Sequence, residues 1–311
     1  MTKLTRRDML TTLGVAATAA AASTATAASL GSKSAGARTK RLDLDTPEGN
    51  LDGFLKVRSD ISGQGSVIWA AGMVWSHVAG RKARPLMRTQ GLNLTRCVKD
   101  ATGYIFLQRE SVYFCDLETG EPLKTWFNPF IEREVEVFHF QNESVSSHYD
   151  LNGAKGPFHM PYVENSGDVS FHQDLFYSAP SPLNVEEYPA YAASNTYEGA
   201  GLYNWHAKRA DIDNPNLSSV PAVISHTGVR QWVPWMEMGA WEGGLVLPSR
   251  GKKLTRGVAD LPKPFLAWLE KNAPTYLTWP SLEQKNQVNT FYDEFRKHIE
   301  AKRAGRAGSK T

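Results

Sequence analysis

The chain has 311 residues, 41% of them hydrophobic and 22% charged, enough for one large domain or two modest ones. A formal charge of +3 makes no electrostatic claim on nucleic acid, and the absence of an uninterrupted apolar run of about 18 residues excludes a polytopic membrane protein. Nine Trp, 11 Tyr and 13 Phe exclude a disordered chain.

Residues Thr5-Arg6-Arg7-Asp8-Met9-Leu10 set a twin arginine before an Ala/Thr-rich apolar stretch, which ends in the small residues Ala25-Thr26-Ala27-Ala28. This three-part layout predicts a signal peptide over 1–28, read by the twin-arginine export machinery, and a periplasmic or secreted protein. That route carries folded proteins, often with a cofactor already inserted. Removal of 1–28 takes away Lys3, Arg6, Arg7 and Asp8. The mature chain is then near neutral, with no nucleic-acid partner and no integral membrane segment. A flexible lead-in is expected over 29–50, a single domain over 51–301 and a basic, disordered tail over 302–311.

Alternation with a period of two dominates from Ser66 to Leu247. In Val67–His77 the odd positions Val67, Trp69, Met73 and Trp75 form a bulky face, while Ala70, Gly72 and Ser76 lighten the other. Further strands are predicted at Leu86–Val98, Tyr104–Glu110, Val112–Asp116, Val135–Phe140, Val169–Tyr177, Gly201–Ala207, Ala222–Val233 and Gly244–Leu247. The Asp116–Glu121 segment, with Gly120, reads as a hairpin turn. Two Pro/Gly-rich stretches, Asp150–Pro161 and Ala179–Ala193, read as long loops of the kind that serve as lids or binding segments. The first reads equally well as a boundary between two halves of one sheet system. A short helix is predicted over Pro264–Lys271. A second opens with a capping box at Ser281 and Gln284 and presents Val288, Phe291, Tyr292, Phe295 and Ile299 on one face. The fold class is therefore mainly β (α+β): a large antiparallel sheet closed as a calycin-like barrel or stacked as a sandwich, with C-terminal helices packed on it. Cys97 and Cys115 lie in strands of one antiparallel series, so both a disulfide and two separate buried thiols are open to them.

Three sets of residues could carry chemistry. His172 and Asp174 share one face of a strand, and with a third ligand from His226 or His206 they would make a two-His, one-carboxylate site for a divalent transition metal. Arg109 and Glu110 are neighbours on a strand, so one of them points inward, either as part of a structural ion pair or as the polar feature of a pocket that Trp126 and Asn128 would share. Trp232-Val233-Pro234-Trp235-Met236-Glu237-Met238-Gly239, with Trp69, Trp75 and Trp205, could line a cavity for a flat apolar ligand, or could equally be ordinary core. Within such a cavity Glu237 would be an acid or base of raised pKa. The acid–base candidates are thus His172, Asp174, His206, His226 and Glu237; the substrate-binding candidates are Trp75, Arg109, Trp126, Asn128, Trp205, Trp232 and Trp235.

The run Gln108-Arg109-Glu110-Ser111-Val112-Tyr113-Phe114-Cys115-Asp116-Leu117-Glu118-Thr119-Gly120-Glu121, together with Trp126-Phe127-Asn128-Pro129 and Trp232–Gly239, resembles the DUF1838 family of bacterial and fungal proteins. The resemblance spans Leu51 to Ala301. It departs at Gln141–Ser146, where the family pattern has an Asn-Asp-Pro-Val-like turn, and it carries over no catalytic residue. The expected function is an exported enzyme of isomerase, cyclase or lyase type, cofactor-free or metal-assisted, acting on a small apolar or aromatic molecule in a β-barrel cavity. The alternatives are a non-catalytic carrier of a hydrophobic small molecule and a partner-binding envelope protein.

Overall fold

A computed structural model describes residues 41–281 and 291–308. The signal segment 1–28, the Gln284 and Val288 part of the expected C-terminal helix start, and 309–311 lie outside the described residues. The elements run α1 (Pro47–Arg58), β1 (Gly65–His77), β2 (Pro85–Lys99), β3 (Gly103–Cys115), β4 (Thr125–Asn128), β5 (Arg133–Glu136), β6 (Phe140–Asp150), β7 (Asn152–Gly153), β8 (Gly156–Pro157), β9 (Tyr162–Asn165), β10 (Asp168–Pro180), β11 (Thr196–Lys208), α2 (Arg209–Asp213), β12 (Val223–Arg230), β13 (Gly244–Leu254), α3 (Lys263–Asn272) and α4 (Phe291–Gly308). The two strands expected on either side of Ser111 are one continuous strand, β3. At the expected hairpin turn Asp116 Oδ1 accepts from the Glu118 and Thr119 amides, at 2.9 and 2.8 Å, and Gly120 takes a φ of 73°.

Nine strands form one antiparallel sheet in the order β6-β3-β2-β1-β13-β12-β11-β10-β9. The first half meanders outward from β1 to β6, the chain crosses at 150–161, and the second half meanders back until β13 pairs beside β1. The Asp150–Pro161 stretch is thus the junction of the two halves, with the small β7–β8 hairpin inside it. The sheet is open: β6 and β9 are its edges, so the expected closed barrel is not formed by hydrogen bonding. It is nonetheless strongly curled. Five strand spacings separate β3 from β11, ~24 Å in a flat sheet, yet residues of both line one cavity. Curling of this kind follows from the right-handed strand twist, with small residues such as Ala70 and Gly91 on the inner face.

Three hydrophobic clusters fill the two faces. On the convex face, Val67, Leu92, Leu94 and Tyr113 pack under α3 through Phe265 and Leu269. On the concave face, α1 plugs one end, with Leu51, Phe54 and Leu55 against Phe106, Phe171 and Trp205. The other end is filled by α4 and by Trp232–Met238, which pack on Val74, Met87 and Phe114.

Helix α1 starts inside the stretch expected as a lead-in. Thr46 caps it, its Oγ1 accepting from Gly49 N at 3.2 Å, and Pro47 stands at its first turn. The segment before it is packed: Leu44 is buried, and Asn50 donates to Leu44 O at 3.0 Å and Met160 O at 3.1 Å. The basic segment 302–308, expected to be disordered, continues α4 as helix, with Lys302 paired to Glu136 and Arg303 donating to Glu187 O. The Ala179–Ala193 loop is anchored and does not form a lid: Leu183 and Tyr188 are buried, and Tyr188 donates to Glu300 at 3.0 Å. Cys97 and Cys115 are both free and buried. Their register partners on β2 and β3 are Phe106 and Arg88, nine residues apart along the hairpin, so the thiols sit at opposite ends of it, ~30 Å apart.

Candidate functional site

Between the α1 plug and the α4 end, the concave face leaves a cavity of about 350 Å³. The space exists because the sheet floor is built of small residues: Ala70 of β1 pairs with Gly91 of β2, and Gly228 of β12 lies further round the curve. The walls are aromatic, from Tyr177, Tyr203 and Trp205 on one side and Phe114 and Phe140 on the other. Phe291 and Tyr292, at the described start of α4, close one end: Phe140 stacks on Phe291 at 5.1 Å and Tyr197 on Tyr292 at 4.6 Å.

Into this apolar volume project a few polar groups. Alternation on β3 puts Phe106, Gln108, Glu110 and Val112 on the concave face. Glu110 stands beside Asn142 and Gln108, and burial pushes its carboxyl above the ordinary value against the opposing charges of Arg230 and Arg58 and the influence of those two amides. Asn142 accepts from Phe291 N at 3.1 Å, and Gln108 from Arg58 Nη2 at 3.1 Å, so α4 and α1 are each tied to an amide beside this carboxyl. On β12, His226 and Arg230 flank Gly228. A methyl there would lie 3.3 Å from His226 Cε1 and 3.6 Å from Arg230 Nη2, so ring and guanidinium lean over the same glycine. His226 stacks on Tyr203 at 4.3 Å, and its Nδ1 lies 3.3 Å from Ser249 Oγ. Burial, with the Arg230 charge adding to it, pushes its pKa down to about 4, so the imidazole is neutral at pH 7. Burial likewise raises the Tyr203 phenol, with the Glu110 charge second. Asn93, register partner of Glu110, lines the cavity with its buried Oδ1 lacking a donor among the described residues.

Of the residues singled out in the sequence for chemistry, Glu110, His226 and Trp205 line this cavity. The others lie elsewhere. His172 and Asp174 do share a face, but it is the convex one, because Phe171 and Gln173 take the concave side of β10. His172 Nδ1 lies 2.6 Å from Asn204 Oδ1 and His206 Nδ1 2.7 Å from Ser170 Oγ, both on that outer face. The expected metal set is therefore split across the sheet, with His226 inside and His172 and Asp174 outside. Among the described residues no group of three His, Cys, Asp or Glu side chains is placed to hold a metal ion.

Arg109 points to the convex face and donates through Nη1 to Thr275 O at 2.8 Å and Thr278 O at 2.7 Å, so it ties the segment after α3 to the sheet. Its neighbour Glu110 is the inward member of the pair. Trp75 lies on the convex face, opposite Val246. Trp232 and Trp235 belong to the core at the α4 end, where Trp235 meets Trp126 at 6.0 Å and Phe114 at 5.1 Å. Asn128 is fully buried and structural: its amide donates to Met236 O at 2.6 Å, and its Oδ1 accepts from Phe130 N at 2.9 Å. Glu237 caps the Pro234–Met236 turn with a φ of 55° and pairs with Arg133 at the surface, away from the cavity. Arg230, Tyr203 and Asn93 were not among the site candidates, and Glu110 entered only as one member of the Arg109–Glu110 pair. Their signal in the sequence is the light face of Ala70 and Gly91, which marks where a curled sheet leaves room, and the His226-x-Gly228-x-Arg230 alternation on one face of β12.

The family described as Protein of unknown function (DUF1838) matches residues 63–299 of this chain. The match takes in every cavity-lining residue named above. No curated protein matches the chain.

Proposed function

We propose, from the premise that the chain belongs to the DUF1838 family, that its concave cavity is the site of an acid–base enzyme of isomerase, cyclase or lyase type, acting on a small, largely aromatic molecule. The observation that carries this reading is the pairing of Glu110 and His226 in one apolar cavity with their protonation pushed in opposite directions. Burial favours the protonated, donor form of the carboxyl and the free, acceptor form of the imidazole, the division of labour that acid–base catalysis at neutral pH needs. Ser249, beside Nδ1, leaves Nε2 as the nitrogen that takes a proton from the substrate; Glu110 gives one back at a second position. Both groups return to their starting states by passing one proton from His226 to Glu110 once the product has gone. Tyr203 and Trp205, stacked at 5.8 Å and 13° between planes, supply a flat wall for a planar substrate.

Two measurements test the reading. Gly91 has a backbone open to any residue, and a Cβ there would meet only ordinary contacts at 3.7 Å and beyond, so Gly91→Leu can direct its side chain into the cavity. It is expected to abolish binding of the neutral aromatic dye N-phenyl-1-naphthylamine while the far-UV spectrum stays unchanged. Dye binding that survives this substitution removes the cavity from the proposal. A molecule that copurifies with the wild type, identified by native mass spectrometry, then serves as substrate. Glu110→Gln and His226→Gln are each expected to lower its turnover by roughly 10²–10⁴-fold with affinity nearly intact. A carrier, favoured by the mostly apolar lining, would show binding and no turnover in any of the three proteins.

Export remains part of this proposal, resting on the Arg6-Arg7 motif alone. Arg6→Lys/Arg7→Lys is expected to hold the full chain in the cytoplasm of an expressing bacterium, as read by cell fractionation. Equal periplasmic yield from both forms would retire the twin-arginine route.

A further inference from the structure

Arg230 stands in the cavity wall and forms no ion pair among the described residues. Its Nε is buried and has no hydrogen-bond partner among the described residues, and its guanidinium carbon lies 5.7 Å from the Phe140 ring centre. Glu110 feels the Arg230 charge but is not in salt-bridge contact with it. A second cation at the α1 end, Arg58, is already taken: it donates to Gln108 at 3.1 Å, to Gln173 at 3.3 Å and to Tyr149, and lies over the Phe106 ring at 4.4 Å. A partly buried guanidinium with an unsatisfied Nε is a ready seat for a ligand anion, which would meet both its charge and its free donor. Across the curve of the sheet, Asn93 Oδ1 offers an acceptor with no donor among the described residues.

We infer that the cavity takes an aromatic carboxylate, its carboxylate seated on Arg230 and a ring hydroxyl donating to Asn93 Oδ1. This rests on the reading of the cavity as the functional site and adds the substrate class to it. The planar fork of a guanidinium fits the two oxygens of a carboxylate. A dianion such as a phosphate ester would need a second unengaged cation, and the Arg58 guanidinium is spent on Gln108, Gln173 and Tyr149. The ring system lies between the Tyr203–Trp205 wall and Phe140, which leaves only its polar ends for Arg230 and Asn93.

Titration calorimetry of the full chain with 2-naphthoate, 6-hydroxy-2-naphthoate and the neutral 2-naphthalenemethanol tests the inference. Wild type is expected to bind 2-naphthoate at least ~tenfold tighter than the alcohol, the scale of a charge-assisted hydrogen bond in a dry site. Arg230→Gln should erase that preference and leave the alcohol's affinity unchanged, and Arg230→Lys should restore part of it. The hydroxyl of 6-hydroxy-2-naphthoate should add several-fold affinity in wild type and nothing in Asn93→Leu. Equal binding of naphthoate and alcohol by wild type overturns the inference, whatever the variants do. If N-phenyl-1-naphthylamine binds in a Gly91-dependent way while naphthoate does not, the carboxylate assignment alone falls. If neither binds, the cavity reading falls with it.

Discussion

Phe54→Ala is expected to destabilise the protein by about 3–5 kcal/mol, the cost of emptying a large, fully buried aromatic site. Phe54 is 0% exposed and makes edge or tilted contacts with Tyr149 at 6.1 Å, Phe158 at 6.4 Å, Phe171 at 5.7 Å and Trp205 at 6.4 Å. Those rings come from β6, the junction, β10 and β11, so one side chain of α1 joins both halves of the open sheet. With no hydrogen bonds closing the gap between β6 and β9, this packing is what holds the curl at the α1 end. The loss would appear as a shift in the urea midpoint. Phe176→Ala, at a position 79% exposed, is the control and should stay within ~0.5 kcal/mol of wild type. A cost for Phe54→Ala below ~1 kcal/mol would mean that α1 is not the plug described above.

Acid is expected to unfold the protein through two buried histidines. His226, beside Tyr203 and Ser249, and His139, packed against Tyr113 at 5.1 Å and Trp268 at 5.7 Å, are each pushed by burial from 6.5 down to about 4. His139 Nδ1 also accepts from Phe114 N at 3.3 Å, which requires an unprotonated nitrogen. Below pH 6.5 the unfolded chain takes up protons at these positions and the folded chain does not, so the stability they contribute is full above that pH and is lost as pH falls to about 4. Each contributes roughly 3 kcal/mol over that window. Glu110 acts in the opposite sense, because its raised carboxyl favours the folded state as protons are added. Comparing wild type with His139→Gln and His226→Gln by urea unfolding at several pH values between 7 and 4 cancels the Glu110 contribution. Each variant should show a shallower fall than wild type. Parallel pH profiles for all three proteins would show that neither ring is buried in its neutral form.

The strands were legible because period-two alternation is a local property: β1, β2, β10, β11 and β13 lie where Val67–His77, Leu86–Val98, Val169–Tyr177, Gly201–Ala207 and Gly244–Leu247 placed them, with longer ends. Helix α1 was not, since it is buried nearly all round, from Gly49 to Val57, and shows no amphipathic stripe; its signal was the Thr46-Pro47 start. On β1 Trp75 was expected to line a ligand cavity, yet it shares the bulky odd face with Val67 and Trp69, which pack under α3, while the light face of Ala70 lines the cavity. Alternation likewise grouped His172 with Asp174 correctly and placed neither with His226.

By itself the sequence determined the strands of the main sheet other than β6 and β9, the antiparallel β class, the family and which residues share a face, because each is written in local spacing or in motif. Which face turns inward, whether the sheet closes, and that Glu110, His226, Arg230 and Asn93 meet in one cavity were decided only by the tertiary structure. Those residues come from β2, β3 and β12, and β13, last in the chain, inserts beside β1 between them. Their meeting depends on the curl that α1 and α4 impose by packing, and no local pattern in the chain encodes it.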